Sequence, residues 1–138
     1  MNETTALPQE AYQAETSQRV YDLLSKTAMR VLGQGCSVIL DAAFLRESQR
    51  AGLTDLARRH HARFVGLFLT ADLATRLSRI ERREHDASDA TRDVALQQEA
   101  AGFGVVNWHR VDASGTPEDT LQRSIDRLSV SGCPLGAV

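Results

Sequence analysis

From Val20 onward, Val20, Leu23, Leu24, Ala28 and Val31 recur at spacings of three, four and seven. This stripe predicts an amphipathic helix over about residues 10–33, with Gly33 and Gly35 as its stop. The period then changes. Val38, Ile39 and Leu40 form a continuous apolar run too short for a helix, and a run without alternation predicts a strand covered on both faces. Leu53, Leu56, Ala57 and His60 return to helical spacing up to the His60-His61-Ala62-Arg63 turn, after which FVGLFL predicts a second buried strand over residues 64–69. Thr70 or Asp72 can cap a third helix whose apolar face is Leu73, Leu77 and Ile80. HDASDA interrupts it near residue 85, and Ser88 or Asp89 can cap a fourth helix over about residues 90–101. Gly102 and Gly104 close that helix, and a third strand follows over about Val105–Val111. The last helix is the best signalled: Thr116 as N-cap, Pro117 at the first helical position, Glu118 and Asp119 in the positive first turn, and a Leu121, Ile125 and Leu128 stripe.

Uniformly apolar strands alternating with helices predict an α/β fold, a three-layer parallel sheet with helices on both faces joined by right-handed crossovers. With no repeat or linker, the pattern predicts one domain over residues 10–129, a flexible N-terminus (1–9) and a flexible tail (130–138). A chain of 138 residues can bury roughly 68% of its unfolded surface without metal or disulfide staples.

Composition narrows the function classes. No apolar run approaches the roughly 18 residues of a membrane span, and the start MNETTALPQE lacks a signal peptide's basic and apolar regions, so a cytoplasmic protein with no membrane partner is expected. Cys36 and Cys133 have no CxxC partner, which argues against structural zinc and a disulfide framework. A net charge of −2 offers no field to hold nucleic acid, which is not an expected partner.

In parallel sheets ligands bind beyond the carboxyl ends of the strands. The predicted strands end in Asp41, in Thr70-Ala71-Asp72 and in Asp112-Ala113-Ser114-Gly115. An acidic residue closing a strand suits Mg2+ or its water, and equally suits the cap of a following turn. The helix after the second strand carries Arg76, Arg79, Arg82 and Arg83. At roughly 100° per residue Arg76, Arg79 and Arg83 fall within about 60° of one another, beside the apolar stripe. Guanidinium forks so placed can converge on phosphate, or can form a solvated face paired with Glu81 and Glu84.

Lys26 is the one lysine among 16 basic residues, and Lys26-Thr27 lies inside the first helix with no glycine before it, so it is not a phosphate-binding GxxxxGK[ST] loop. GxGxxG is absent too. The four histidines show no ligand spacing, Trp108 reads as strand packing, and Cys36 has no neighbouring base.

The run GCSVILDAAFLRESQR through IERREHDASDA, followed by NWHRVDASGTPEDTL, resembles the later part of the small P-loop kinase-like ATP-binding proteins labelled AAA-family ATPases, relatives of polynucleotide kinase, zeta toxin and gluconate kinase. The resemblance covers about residues 10–129 and implies a P-loop kinase-type sheet, with ATP and Mg2+ as cofactors. It implies that Asp41 lies near the metal and that Arg79, Arg82 and Arg83 are lid arginines that neutralise phosphate during transfer. Ala113, Ser114 and Gly115 would lie near adenine.

In that family the phosphate-loop strand, its lysine and a second strand come before the matching segment, and the sheet order is 2-3-1-4-5. Only strands 3, 4 and 5 are therefore expected within these residues, with a gap between the strands at Val38–Asp41 and Phe64–Leu69. Three expectations follow: a chain inactive by itself, nucleotide as partner only when a phosphate-loop segment complements it, and either direct pairing of the strands around Ile39 and Leu67 or open strand edges that take a completing strand or self-associate. The alternative is a non-catalytic α/β interaction or regulatory module.

Overall fold

The computed structural model describes residues 9–83 and 92–132. The expected ends fall mainly outside the described residues, as do His85, HDASDA with the caps Ser88 and Asp89, and Cys133. The chain divides into two compact units, Met1–Ala62 and Arg63–Val138.

The first unit is built from α1 (Gln9–Gly33) and α2 (Glu47–Arg59). The predicted stripe on α1 is only partly used: Ala28 is buried, while Val20 and Leu23 are 52% and 65% exposed. Leu53, Leu56 and Ala57 of α2 are buried as their spacing requires, and His60 is exposed at the helix end. Between the helices, Val38–Asp41 adopts no regular secondary structure and Ile39 is 94% exposed. The expected first strand is thus not formed among the described residues. An apolar run becomes a strand only where a neighbour supplies ladder hydrogen bonds, and this unit has no described strand to offer them.

The second unit contains β1 (Leu67–Thr70), α3 (Leu73–Arg82), α4 (Arg92–Ala101), β2 (His109–Asp112) and α5 (Pro117–Val130). β1 and β2 pair in parallel, Leu67 against His109 through Thr70 against Asp112, as the alternation of strand and helix predicts. The described sheet therefore has two strands in place of the expected three. Its core is Phe68 and Val111, with Phe103 set edge-on to Phe68 at 5.5 Å. Trp108 stands just before β2 and packs on Phe64 at 5.7 Å. A Cβ on Gly66 would come within 2.4 Å of its indole, so the close approach of ring and strand needs glycine there.

The two outer edges of this sheet differ. The amides of His109 and Ala113 donate to the carbonyls of Gly66 and Thr70, so even-numbered residues of β1 face β2 and the backbones of Leu67 and Leu69 face away. Leu69 is also 55% exposed, which leaves an uncharged, apolar edge. On β2 the outward groups belong to Arg110 and Asp112, and the Asp112 carbonyl accepts from Arg123 Nη1 at 2.9 Å. A charged side chain from α5 thus covers part of that edge, the usual protection against stray pairing.

α3 and α4 pack on each other as an antiparallel pair. Arg76 binds Glu99 at one end, and Arg92 binds Glu81 at 3.1 Å at the other. No described helix is long and apolar enough to cross a membrane.

Candidate functional site

The parallel register brings the carboxyl ends of β1 and β2, Thr70 and Asp112, to one rim. Two capped turns leave that rim. After β1, Asp72 caps α3, accepting from the Thr75 amide at 2.7 Å and its hydroxyl at 2.9 Å. Of the two caps the sequence allows, Asp72 is the one used. These hydrogen bonds, the amide first, hold the Asp72 carboxyl below its ordinary value.

After β2, the loop Asp112–Thr116 is fixed by local chemistry. Asp112 Oδ1 accepts from the Ser114 amide at 2.9 Å, and Arg123 lies 3.1 Å from its other oxygen. The hydrogen bonds from Ser114, then the Arg123 charge, lower the Asp112 pKa. Thr116 and Asp119 form a reciprocal capping box at the start of α5, each side chain accepting the other's amide at 3.1 Å, and this holds Asp119 low as well. Gly115 sits against that box: a Cβ there would meet Asp119 Oδ2 at 2.8 Å.

Arg79 ties α3 to the second of these turns. From α3 its Nη2 donates to the Gly115 carbonyl at 2.9 Å, across 36 positions of sequence. The structure thus brings one of the three predicted phosphate arginines onto the predicted base-side loop, whose residues Ala113, Ser114 and Gly115 are half-buried, exposed and exposed. Arg82 and Arg83 are exposed at the carboxyl end of α3.

The convergence read for Arg76, Arg79 and Arg83 is not what forms. Arg76 is committed to Glu99, and Glu81, the expected partner on the same helix, binds Arg92 of α4 instead. Glu84 lies outside the described residues. Helix periodicity places these arginines side by side but says nothing of acids that a second helix brings.

Asp41 belongs to the first unit, is exposed, and lies in the segment without regular structure. The loop after it is firmly built. Phe44 has a left-handed φ of 44° and is buried, its amide donating to the Tyr21 hydroxyl at 3.0 Å and its carbonyl accepting from the buried Arg50 at 2.7 Å. That backbone is costly for a bulky residue. Its partners on α1 and α2 hold the turn. Among the described residues no three His, Cys, Asp or Glu side chains gather as a metal cage. A nucleotide-borne Mg2+ needs no such cage, because one or two carboxylates with phosphates and water complete its shell.

Sequence reasoning missed Arg123, which braces Asp112, and Glu99, which takes Arg76. The only available signal for Arg123 was an arginine two turns into a helix that follows an acidic strand end. Beside the rim, a cavity of about 370 Å3 between β2 and α5 is lined by Arg110, Asp112, Arg123, Asp126 and Arg127 among others. Of the strand-end residues singled out from the sequence Asp112 lines it, whereas Asp41, Arg79, Arg82, Arg83 and Ala113–Gly115 do not.

Comparison with known proteins supports the family directly. A family model described as an AAA domain matches residues 1–103. An uncharacterised protein of Mycobacterium bovis is 31% identical over 102 residues, 74% of this chain and 20% of its own length. Uncharacterised proteins of two Mycobacterium tuberculosis strains match to the same extent, so the chain spans about a fifth of the length of these curated relatives. No solved structure matches. A family match over most of the chain, and an α/β unit whose two parallel strands end in capped turns at one rim, identify this chain as a member of the P-loop kinase-like AAA-domain family.

Proposed function

We propose that this chain is the lid and base-side portion of an ATP-dependent phosphotransferase or ATPase, and that these 138 residues do not catalyse phosphoryl transfer by themselves. The observation that supports the reading is the Arg79–Gly115 hydrogen bond, which sets a phosphate-type arginine against the loop assigned to the base side. Arg79, Arg82 and Arg83 would neutralise phosphate charge, and Ala113–Gly115 would flank the adenine.

Phosphoryl transfer rests on positioning and charge stabilisation, which a phosphate cradle and its lysine chiefly supply. Neither GxxxxGK[ST] nor a second lysine occurs in the sequence, so the arginines have no cradled phosphate to act upon. The open, uncharged edge of β1 at Leu67 and Leu69 is where a strand carrying that loop would pair.

A thermal-shift titration tests this. The expected result for the 138 residues is no shift at millimolar Mg-ATP. A form extended at its amino end by a family member's strand and GxxxxGK[ST] loop is stabilised, by about 2.7 kcal/mol at 100 times the Kd. Stabilisation of the unextended chain, or none in a folded extended form, overturns the reading.

A further inference from the structure

The backbone amides and carbonyls of Leu67 and Leu69 point away from β2 and have no hydrogen-bond partner among the described residues. An extended segment is what satisfies such a row of groups. The run that carries them, FVGLFLT over residues 64–70, has neither charge nor proline, the composition of a segment that pairs with copies of itself. Its side chains are available as well: Leu69 is more than half exposed and Leu67 half-buried. Charge stands only at the two ends, Arg63 before the run and Asp72 after it.

The alternation of the backbone decides how two such edges can meet. In an antiparallel pair, residues whose hydrogen-bonding groups face outward lie opposite others of the same kind. With a two-fold axis at Phe68, Leu67 therefore lies opposite Leu69 of a second copy, and each such pair exchanges both its hydrogen bonds. Residues two apart in a strand, and residues directly opposite, share a face of the sheet, so the leucines of both copies form one apolar cluster. Antiparallel pairing also brings the Arg63 end of each strand to the Asp72 end of the other, whereas parallel pairing would set like charges together.

We propose that the outer edge of β1 is a self-association surface, on which a second copy of this chain pairs antiparallel through Leu67 and Leu69 to make one continuous sheet across a two-fold axis. The patch is self-complementary, as a closed symmetric dimer requires. The opposite edge of the sheet is not equivalent, because Arg123 already donates to the outward carbonyl of Asp112. Pairing of two copies closes the β1 edge to any other strand, and it does not depend on nucleotide.

Sedimentation of the full chain between about 1 µM and about 1 mM tests this, a range that spans the weak association a short strand pair supports. A monomer–dimer equilibrium is expected, with exchange of the Leu67 and Leu69 amides slowing as the dimer forms. Leu69→Pro removes an N–H that β2 does not use and keeps the extended backbone, so a folded monomer is expected. Leu69→Lys keeps the amide but sets a charge among the leucines; it too is expected to be monomeric, and it answers the question should proline unfold the chain. A chain that stays monomeric throughout, or assembles beyond a dimer, overturns the proposal. So does a dimer that survives in either folded variant or leaves exchange at Leu67 and Leu69 unchanged. Nucleotide is absent from these measurements, so their outcome and that of the thermal-shift titration stand or fall separately.

Discussion

Three aspartates, Asp72, Asp112 and Asp119, carry much of the local order at the rim, and each works as an acceptor of nearby amides. Each is held below the ordinary carboxylate value of 3.8 in the fold, which fixes the sign of the acid response. A carboxylate with a depressed folded pKa contributes stability above its unfolded value, and that contribution is lost as pH falls through the folded value. Stability from this source is therefore level from neutrality down to about pH 5, then declines through and below 3.8. Urea denaturation at stepped pH checks this. Removing the three carboxylates together by Asn substitution should lower the neutral plateau and flatten the acid limb.

At the scale of elements, the helices follow local rules closely. Asp72, Thr116 and Pro117 stand where capping chemistry puts them, and the hairpin of α3 and α4 is tied by charges at both ends. Thr116→Ala removes the acceptor for the Asp119 amide and should cost roughly 1 kcal/mol, read as a lower midpoint in denaturant with an unchanged slope. The strands follow local rules less well. Predicted strands of six or seven residues shorten to four, and the run at Val38 forms none. A helix satisfies its backbone from within, so its sequence can specify it alone, whereas a strand exists only as far as its neighbour's ladder reaches.

Over the whole molecule, the two units place very different demands on residues of similar hydropathy. Phe68 is 7% exposed in the core of the second unit, and Phe68→Ala should cost about 3–5 kcal/mol. Ile39, 94% exposed in the first, should tolerate Ser within about 0.5 kcal/mol. Denaturant melts of the two variants decide the matter. A cost of several kcal/mol for Ile39→Ser would mean that the Val38 run is buried as the apolar pattern alone implied. In a form extended by a completing strand and loop, the same comparison would show whether added sheet brings Ile39 into a core.

The sequence by itself determined the helices, the cap at Thr116, the parallel sense of the strands and, through a matched segment that includes VILDAAFLRESQR, the family. Caps, periodicity and strand–helix alternation act over a few residues, where the chain has few alternatives. Only the tertiary structure decided which arginine meets which acceptor: Arg76 goes to Glu99, Arg123 to Asp112 and Arg79 to the carbonyl of Gly115. It likewise decided that Val38–Asp41 remains outside any sheet. The physical reason is shared. A guanidinium on a long stem, like the edge of a strand, takes whatever acceptor folding brings within about 3 Å, and that acceptor can come from any distance along the chain.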